Sequence, residues 1–72
     1  MAFTEYSVDS SLLEKVAYDP DNFLLRATFK DGTEYEYDGV LQEVFDALME
    51  ADSQGKFFYS NIRMSYPYTK IR

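Results

Sequence analysis

Phe23-Leu24-Leu25-Arg26-Ala27-Thr28-Phe29-Lys30-Asp31-Gly32-Thr33-Glu34-Tyr35-Glu36-Tyr37-Asp38 is the stretch that decides the fold. From Phe23 to Lys30 every second side chain is apolar. Phe23, Leu25, Ala27 and Phe29 share one face, and Arg26, Thr28 and Lys30 the other. A repeat of two marks a half-buried strand, because successive side chains point to opposite faces. Thr33 to Asp38 alternates tyrosines with acids in the same way, and Asp31-Gly32 signals a hairpin between the two runs. Two registers compete. A two-residue loop pairs Lys30 with Thr33 and sets Phe29 beside Glu34, which would bury acids with the apolar row. A three-residue loop, Lys30-Asp31-Gly32, pairs Phe29 with Thr33, Ala27 with Tyr35 and Leu25 with Tyr37. It also sets Arg26 opposite Glu36 on the wet face, and its third position needs a left-handed backbone, which glycine adopts readily. A one-residue slip inverts every side chain. The three-residue loop is therefore predicted, with Tyr35 and Tyr37 facing the core.

Working outward, Leu12 to Tyr18 is a weaker strand candidate that ends at the turn Asp19-Pro20-Asp21-Asn22. On the other side, Leu41, Val44, Phe45, Leu48 and Met49 recur at i, i+3, i+4, i+7 and i+8. This spacing predicts an amphipathic helix of about three turns over Leu41–Ala51, its apolar stripe covering Phe23, Leu25, Phe29, Tyr35 and Tyr37. Asp52-Ser53-Gln54-Gly55 interrupts it, and Ser53 is placed to cap a second short helix running through Tyr59 to Arg63. Tyr66-Pro67-Tyr68-Thr69-Lys70-Ile71 alternates again and predicts a last strand. Pro67 cannot donate to a ladder, so that strand belongs at an edge, or Pro67 sits where no partner is needed. The predicted fold is α+β: an antiparallel β-meander of three strands, a helix pair, then a C-terminal edge strand, in two layers.

The chain has 72 residues, which makes residues 1–72 one small domain. Seven Tyr and six Phe supply the bulk of a core that has no cysteine or histidine to reinforce it with disulfide or zinc. No uncharged run approaches the roughly 18–20 residues that span a bilayer, and Met1-Ala2-Phe3-Thr4-Glu5 lacks the basic flank and apolar core of a leader. A soluble, cytoplasmic protein without a membrane partner is expected. The net charge of −6 is unevenly spread. All thirteen acids lie before Lys56, with Lys15, Arg26 and Lys30 as the only bases there. From Lys56 to Arg72 there are four bases and no acid.

Without histidine or cysteine the chain has no imidazole base and no thiolate nucleophile. Ser53 and Ser60 have no base at a recognisable spacing. Glu34, Glu36 and Asp38 fall on the polar strand face, and Glu43, Asp46 and Glu50 on the polar side of the helix. Solvated carboxylates keep near-normal pKa values and are weak general acids at neutral pH. Asp19-Pro20-Asp21-Asn22 resembles the start of a calcium loop, but the required glycine and final glutamate positions hold Leu24 and Lys30. Gly32, Gly39 and Gly55 form no phosphate-binding fingerprint. No enzyme activity, cofactor or metal is expected.

Two places remain for binding. Tyr35-Glu36-Tyr37 is read as core packing with hydroxyls reaching the rim. The segment from Lys56 to Tyr68 mixes cations with rings, the combination that neutralises phosphate and stacks on bases. Lys56, Asn61, Arg63, Tyr66 and Tyr68 are its candidate ligand-binding residues, led by Arg63, whose guanidinium can grip a phosphate with two parallel hydrogen bonds. A salt bridge from Arg63 to one of the acids, and an aromatic strand with bases offsetting acids, account for the same composition.

Several ordered elements resemble the KTSC domain family, named for a segment at the C-terminus of some lysyl-tRNA synthetases. They are Asp9-Ser10-Ser11, Tyr18-Asp19, Phe29 with Gly32, Tyr35-Glu36-Tyr37, Gly39-Val40, Ser53, Gly55-Lys56-Phe57-Phe58, Ile62-Arg63 and Tyr66-Pro67-Tyr68. The resemblance covers roughly residues 8–71. Leu41 stands where the family often has a proline, and Tyr59 where asparagine is common. The resemblance implies a small bacterial or phage domain, for which RNA binding has been suggested by association with the synthetase. A net charge of −6 opposes a long polyanion, since generic nucleic-acid binding is mostly counterion release. The expectation is therefore a non-catalytic domain binding a nucleotide or a short single-stranded nucleic acid, with Arg63 and Lys56 on phosphate and Tyr66 or Tyr68 on a base. Self-association is also expected, because a core this small gains from shared surface. The alternative is an acidic protein–protein module that meets a basic partner.

Overall fold

A computed structural model describes residues 3–8 and 10–72. Asp9, which contributes to the family resemblance, lies outside the described residues, as do Met1 and Ala2. The described chain forms β1 (Thr4–Ser7), β2 (Leu13–Asp19), β3 (Leu24–Phe29), β4 (Glu34–Asp38), α1 (Gln42–Glu50), α2 (Gln54–Asn61) and β5 (Tyr68–Lys70). The strands make one antiparallel sheet in the order β1-β2-β3-β4-β5, with both helices on one face. This is the two-layer α+β fold, with β1 as an additional strand on the far edge.

The central hairpin has the three-residue register. Leu25 faces Tyr37, Arg26 faces Glu36 and Ala27 faces Tyr35. The Phe29 amide donates to the Thr33 carbonyl at 2.8 Å, and Gly32 takes φ +95°. On the open face Arg26 Nε meets Glu36 Oε1 at 2.8 Å, as the cross-strand pairing requires. In β2 the register shifts between Leu13 and Lys15, which makes Glu14 an extra residue. That bulge resets the alternation, so Leu13 joins Val16 and Tyr18 in the core although its offset from each of them along the chain is odd.

Phe45 and Leu48 of α1 and Phe58 of α2 bury against this face, joined by Ile62 just beyond α2. Ser53 caps α2, its hydroxyl accepting from the Lys56 amide at 3.3 Å. β5 pairs with β4 at the sheet edge. Pro67 precedes the strand and contributes only its carbonyl, which accepts from the Asp38 amide at 3.0 Å.

Two expectations about the core are corrected. Phe23 is not a strand residue: it closes the β2–β3 turn at φ +57° and is 43% exposed. The turn is organised instead by Asp19, whose carboxylate accepts from Asn22 Nδ2 at 2.9 Å and the Asp21 amide at 3.0 Å. The left-handed step at Phe23 then aims its carbonyl at the Val40 amide, 2.9 Å away. Leu41 precedes α1 and is exposed, so the buried helical stripe is shorter than the sequence pattern.

Candidate ligand-binding site

The apolar row of the hairpin runs on beyond the helices that cover it. Tyr37 is buried against Phe58, with ring centroids 5.3 Å apart, while Phe29 and Tyr35 are only half-covered. Phe29 meets Phe58 edge-on at 5.7 Å and Tyr35 at 6.0 Å. β5 extends the row through its register: Tyr68 faces Tyr37 and leans on both tyrosines, 5.8 Å from the ring of Tyr37 and 5.5 Å from that of Tyr35. These rings form one wall of a cleft of about 260 Å³.

The opposite wall comes from the end of α2. Buried Ile62 anchors the chain there, and both the Ile62 and the Arg63 amides donate to the Phe58 carbonyl, at 3.0 and 2.9 Å. The turn that follows presents Arg63 and Met64 to the cleft, with Tyr59 one helical turn earlier. The Arg63 guanidinium lies 4.6 Å from the centroid of the Tyr59 ring, a cation–π contact that orients it without neutralising it. Ion pairs among the described residues join Lys15 to Glu5, Arg26 to Glu36 and Arg72 to Glu34. None involves Arg63, and no acid lines the cleft. In a chain with thirteen acids and seven bases, this leaves a cation with no ion pair among the described residues beside a cluster of edge-on and tilted rings.

Tyr37 lies deepest of the four tyrosines. It is 2% exposed, and its hydroxyl has no hydrogen-bond partner among the described residues although it lines the cleft. Burial pushes its pKa above the usual tyrosine value, the Arg63 charge pulls it back, and Tyr35 and Tyr68 push it up. Tyr59 and Tyr68, at 50% and 59% exposure, are the most exposed rings lining the cleft.

Of the candidates read from sequence, Arg63 and Tyr68 meet in this cleft, joined by Tyr35 and Tyr37. Lys56 lies elsewhere, in a broader depression with Asp52, Ser53 and Ser10 on the other side of Tyr59. The Asn61 side chain turns back on its helix, its Nδ2 donating to the Phe57 carbonyl at 3.2 Å. Tyr66 packs half-buried against the core and does not line the cleft. The C-terminal cations thus separate, and Arg63 alone of them lines the cleft. Sequence reasoning missed Phe29, Tyr59 and Met64 as cleft residues. The spacing of Tyr59 and Arg63, four apart and so neighbours on a helical surface, carried the signal.

Gly55 has a structural role. A Cβ there would lie 2.6 Å from Ser10 Oγ. That hydroxyl is already held by the Leu12 and Leu13 amides, at 3.1 and 3.2 Å, and cannot simply rotate away.

The KTSC domain model matches residues 9–66, a span that includes the central Tyr-x-Tyr, Gly55 and Arg63. An uncharacterized protein of Stutzerimonas stutzeri (strain A1501) is 42% identical over 66 residues, covering 90% of this chain and 93% of that protein. A protein of Tsukamurella paurometabola is 44% identical over 50 residues, covering 69% of this chain and 75% of that one. The crystal structure of a KTSC domain protein from Yersinia pestis superimposes with a TM-score of 0.91 at 35% identity, over 99% of this chain and all of that one. With most of the chain matched in both sequence and fold, it belongs to the KTSC domain family.

Proposed function

We propose that this chain is a non-catalytic binding domain whose aromatic cleft takes a small phosphate-bearing ligand with a planar ring: a nucleotide, or a short single-stranded nucleic acid. The observation that carries this reading is the Arg63 guanidinium, without an ion pair among the described residues, held on the Tyr59 ring at the edge of a cleft that no described acid lines. A fixed guanidinium offers two parallel donors to phosphate. The exposed rings of Tyr59 and Tyr68 offer stacking worth about 1–3 kcal/mol per base. A volume of about 260 Å³ falls just below the roughly 300–1,000 Å³ of drug-sized pockets, so the cleft suits one nucleotide and not a long strand. The charge of −6 favours the same choice by repelling a polyanion.

Thermal unfolding against a panel of mono-, cyclic and short oligonucleotides tests the reading. A ligand at ten times its Kd stabilises by about 1.4 kcal/mol, a rise of several degrees for a domain this size. Arg63→Ala should abolish the rise and leave the free protein folded, since its side chain is exposed and makes no ion pair. Absence of a shift with every nucleotide, together with salt-sensitive binding to a basic protein, would favour the acidic-module reading instead. That alternative draws on the exposed Glu43, Asp46 and Glu50 along α1.

A further inference from the structure

We infer that the cleft is selective for a terminal phosphate, and that Tyr37 sets this selectivity by donating its hydroxyl to the inserted group; the inference rests on the nucleotide reading above. Tyr37 is 2% exposed and wedged between the rings of Phe58 and Tyr68, at 5.3 and 5.8 Å. The ring is buried but its oxygen is not sealed off, since no side-chain polar atom among the described residues is both fully buried and unpartnered; the hydroxyl therefore faces the cleft with its donor uncommitted. Here it opens only on the cleft that Arg63 also lines, and the Arg63 charge is felt at the same hydroxyl. One anion can then meet both: the guanidinium fork on two oxygens and the Tyr37 O–H on a third.

Depth turns this pair into a filter. A group that reaches Tyr37 must pass the rings of Tyr59 and Tyr68 at the mouth. A phosphate at a chain end carries three free oxygens and a single ester arm, so it enters while the attached base remains outside on the rings. An internal phosphodiester has two free oxygens and two arms. Inserting it would bring nucleosides from both sides into a cleft of about 260 Å³. The terminal phosphate has two sources, a free mononucleotide or the phosphorylated end of a short strand, and they share this chemistry.

The test uses the full chain and calorimetric titration with three probes. They are adenosine 5′-monophosphate, adenylyl-adenosine without a terminal phosphate, and the same dinucleotide carrying a 5′-phosphate. The two terminal phosphates should bind at least about tenfold tighter than the internal diester, the scale of one charge-assisted hydrogen bond. Tyr37→Phe should weaken the terminal phosphates by about tenfold, leave the diester unchanged, and melt like the parent. Tight binding by the phosphorylated dinucleotide alone also supports the inference and identifies the source as a strand end. Equal affinity of the parent chain for all three probes, or no effect of Tyr37→Phe, overturns it. If Arg63→Ala still abolishes that binding, the nucleotide reading survives the loss. Absence of binding by any probe overturns both. The comparison of probes on the parent chain stands whether or not the variant folds.

Discussion

Tyr18 and Tyr37 are each 2% exposed and both face the helices, yet the molecule treats them oppositely. The Tyr18 ring lies flat on Phe45, 4.5 Å away and tilted by only 4°, and its hydroxyl donates to the Val40 carbonyl at 2.5 Å. That bond ties the sheet to the chain entering α1. Tyr37 also packs on a phenylalanine, but edge-on, and its hydroxyl reaches an open cleft instead of a carbonyl. One end of the layer is closed by satisfied polar groups and the other is left with donors to spare. Burial alone therefore does not separate a tyrosine whose hydroxyl is tied into the fold from one whose hydroxyl is left free; the partner of the hydroxyl does.

The largest expected effect removes what supports the open end. Phe58 is fully buried and meets both Phe29 and Tyr37. Phe58→Ala should cost about 3–5 kcal/mol, enough to leave a domain this small largely unfolded, as circular dichroism and urea titration would register. A mild loss would mean that the closed end is stable by itself.

Tyr18→Phe sharpens the contrast more finely. It leaves a buried carbonyl at Val40 without its donor and should cost about 1–2 kcal/mol, or roughly 4–16 °C in the melting midpoint. Tyr37→Phe makes the same chemical change and should shift stability by less than about 0.5 kcal/mol, since no hydrogen bond is lost. Equal losses in the two variants would erase the distinction between the ends.

The smallest effect is a shared one. Burial is the first cause raising the pKa of both Tyr18 and Tyr37. A raised folded pKa means stability that is complete below the unfolded value, near 10, and is lost as pH climbs through the folded values. Two of the seven tyrosines should ionise late in an absorbance titration. Arg63→Ala should delay Tyr37 further, by removing the charge that favours its anion, and leave Tyr18 in place.

Legibility followed the strength of local patterning. The hairpin register was readable to the residue, because burying Glu34 and Glu36 was the only alternative to the three-residue loop. β1 was not: Thr-Glu-Tyr-Ser has no apolar row, and its four residues are all exposed. It is held by pairing with β2, which sets Tyr6 opposite Val16 and its ring 5.2 Å from Phe45. Phe23 looked apolar and in phase, but the Asp19 turn needed a left-handed residue there. In the candidate site, Arg63 and Tyr68 were legible from residue type. Lys56 and Tyr66 belong to the same run of sequence, yet the helix and the turn after it point them to other surfaces.

Taken alone, the sequence determined the alternation, the turn chemistry and the helical spacing, because these are local rules acting within a few residues. It also determined that the last seventeen residues carry cations and no acids. Only the tertiary structure decided which cation would meet the rings. Arg72 finds Glu34 at 3.5 Å and Arg26 finds Glu36, while Arg63 is carried by the buried Ile62 anchor onto Tyr59, where no carboxylate of the described residues pairs with it. Charge neutralisation acts over a few ångströms in space, and that distance exists only once the helices have closed on the sheet.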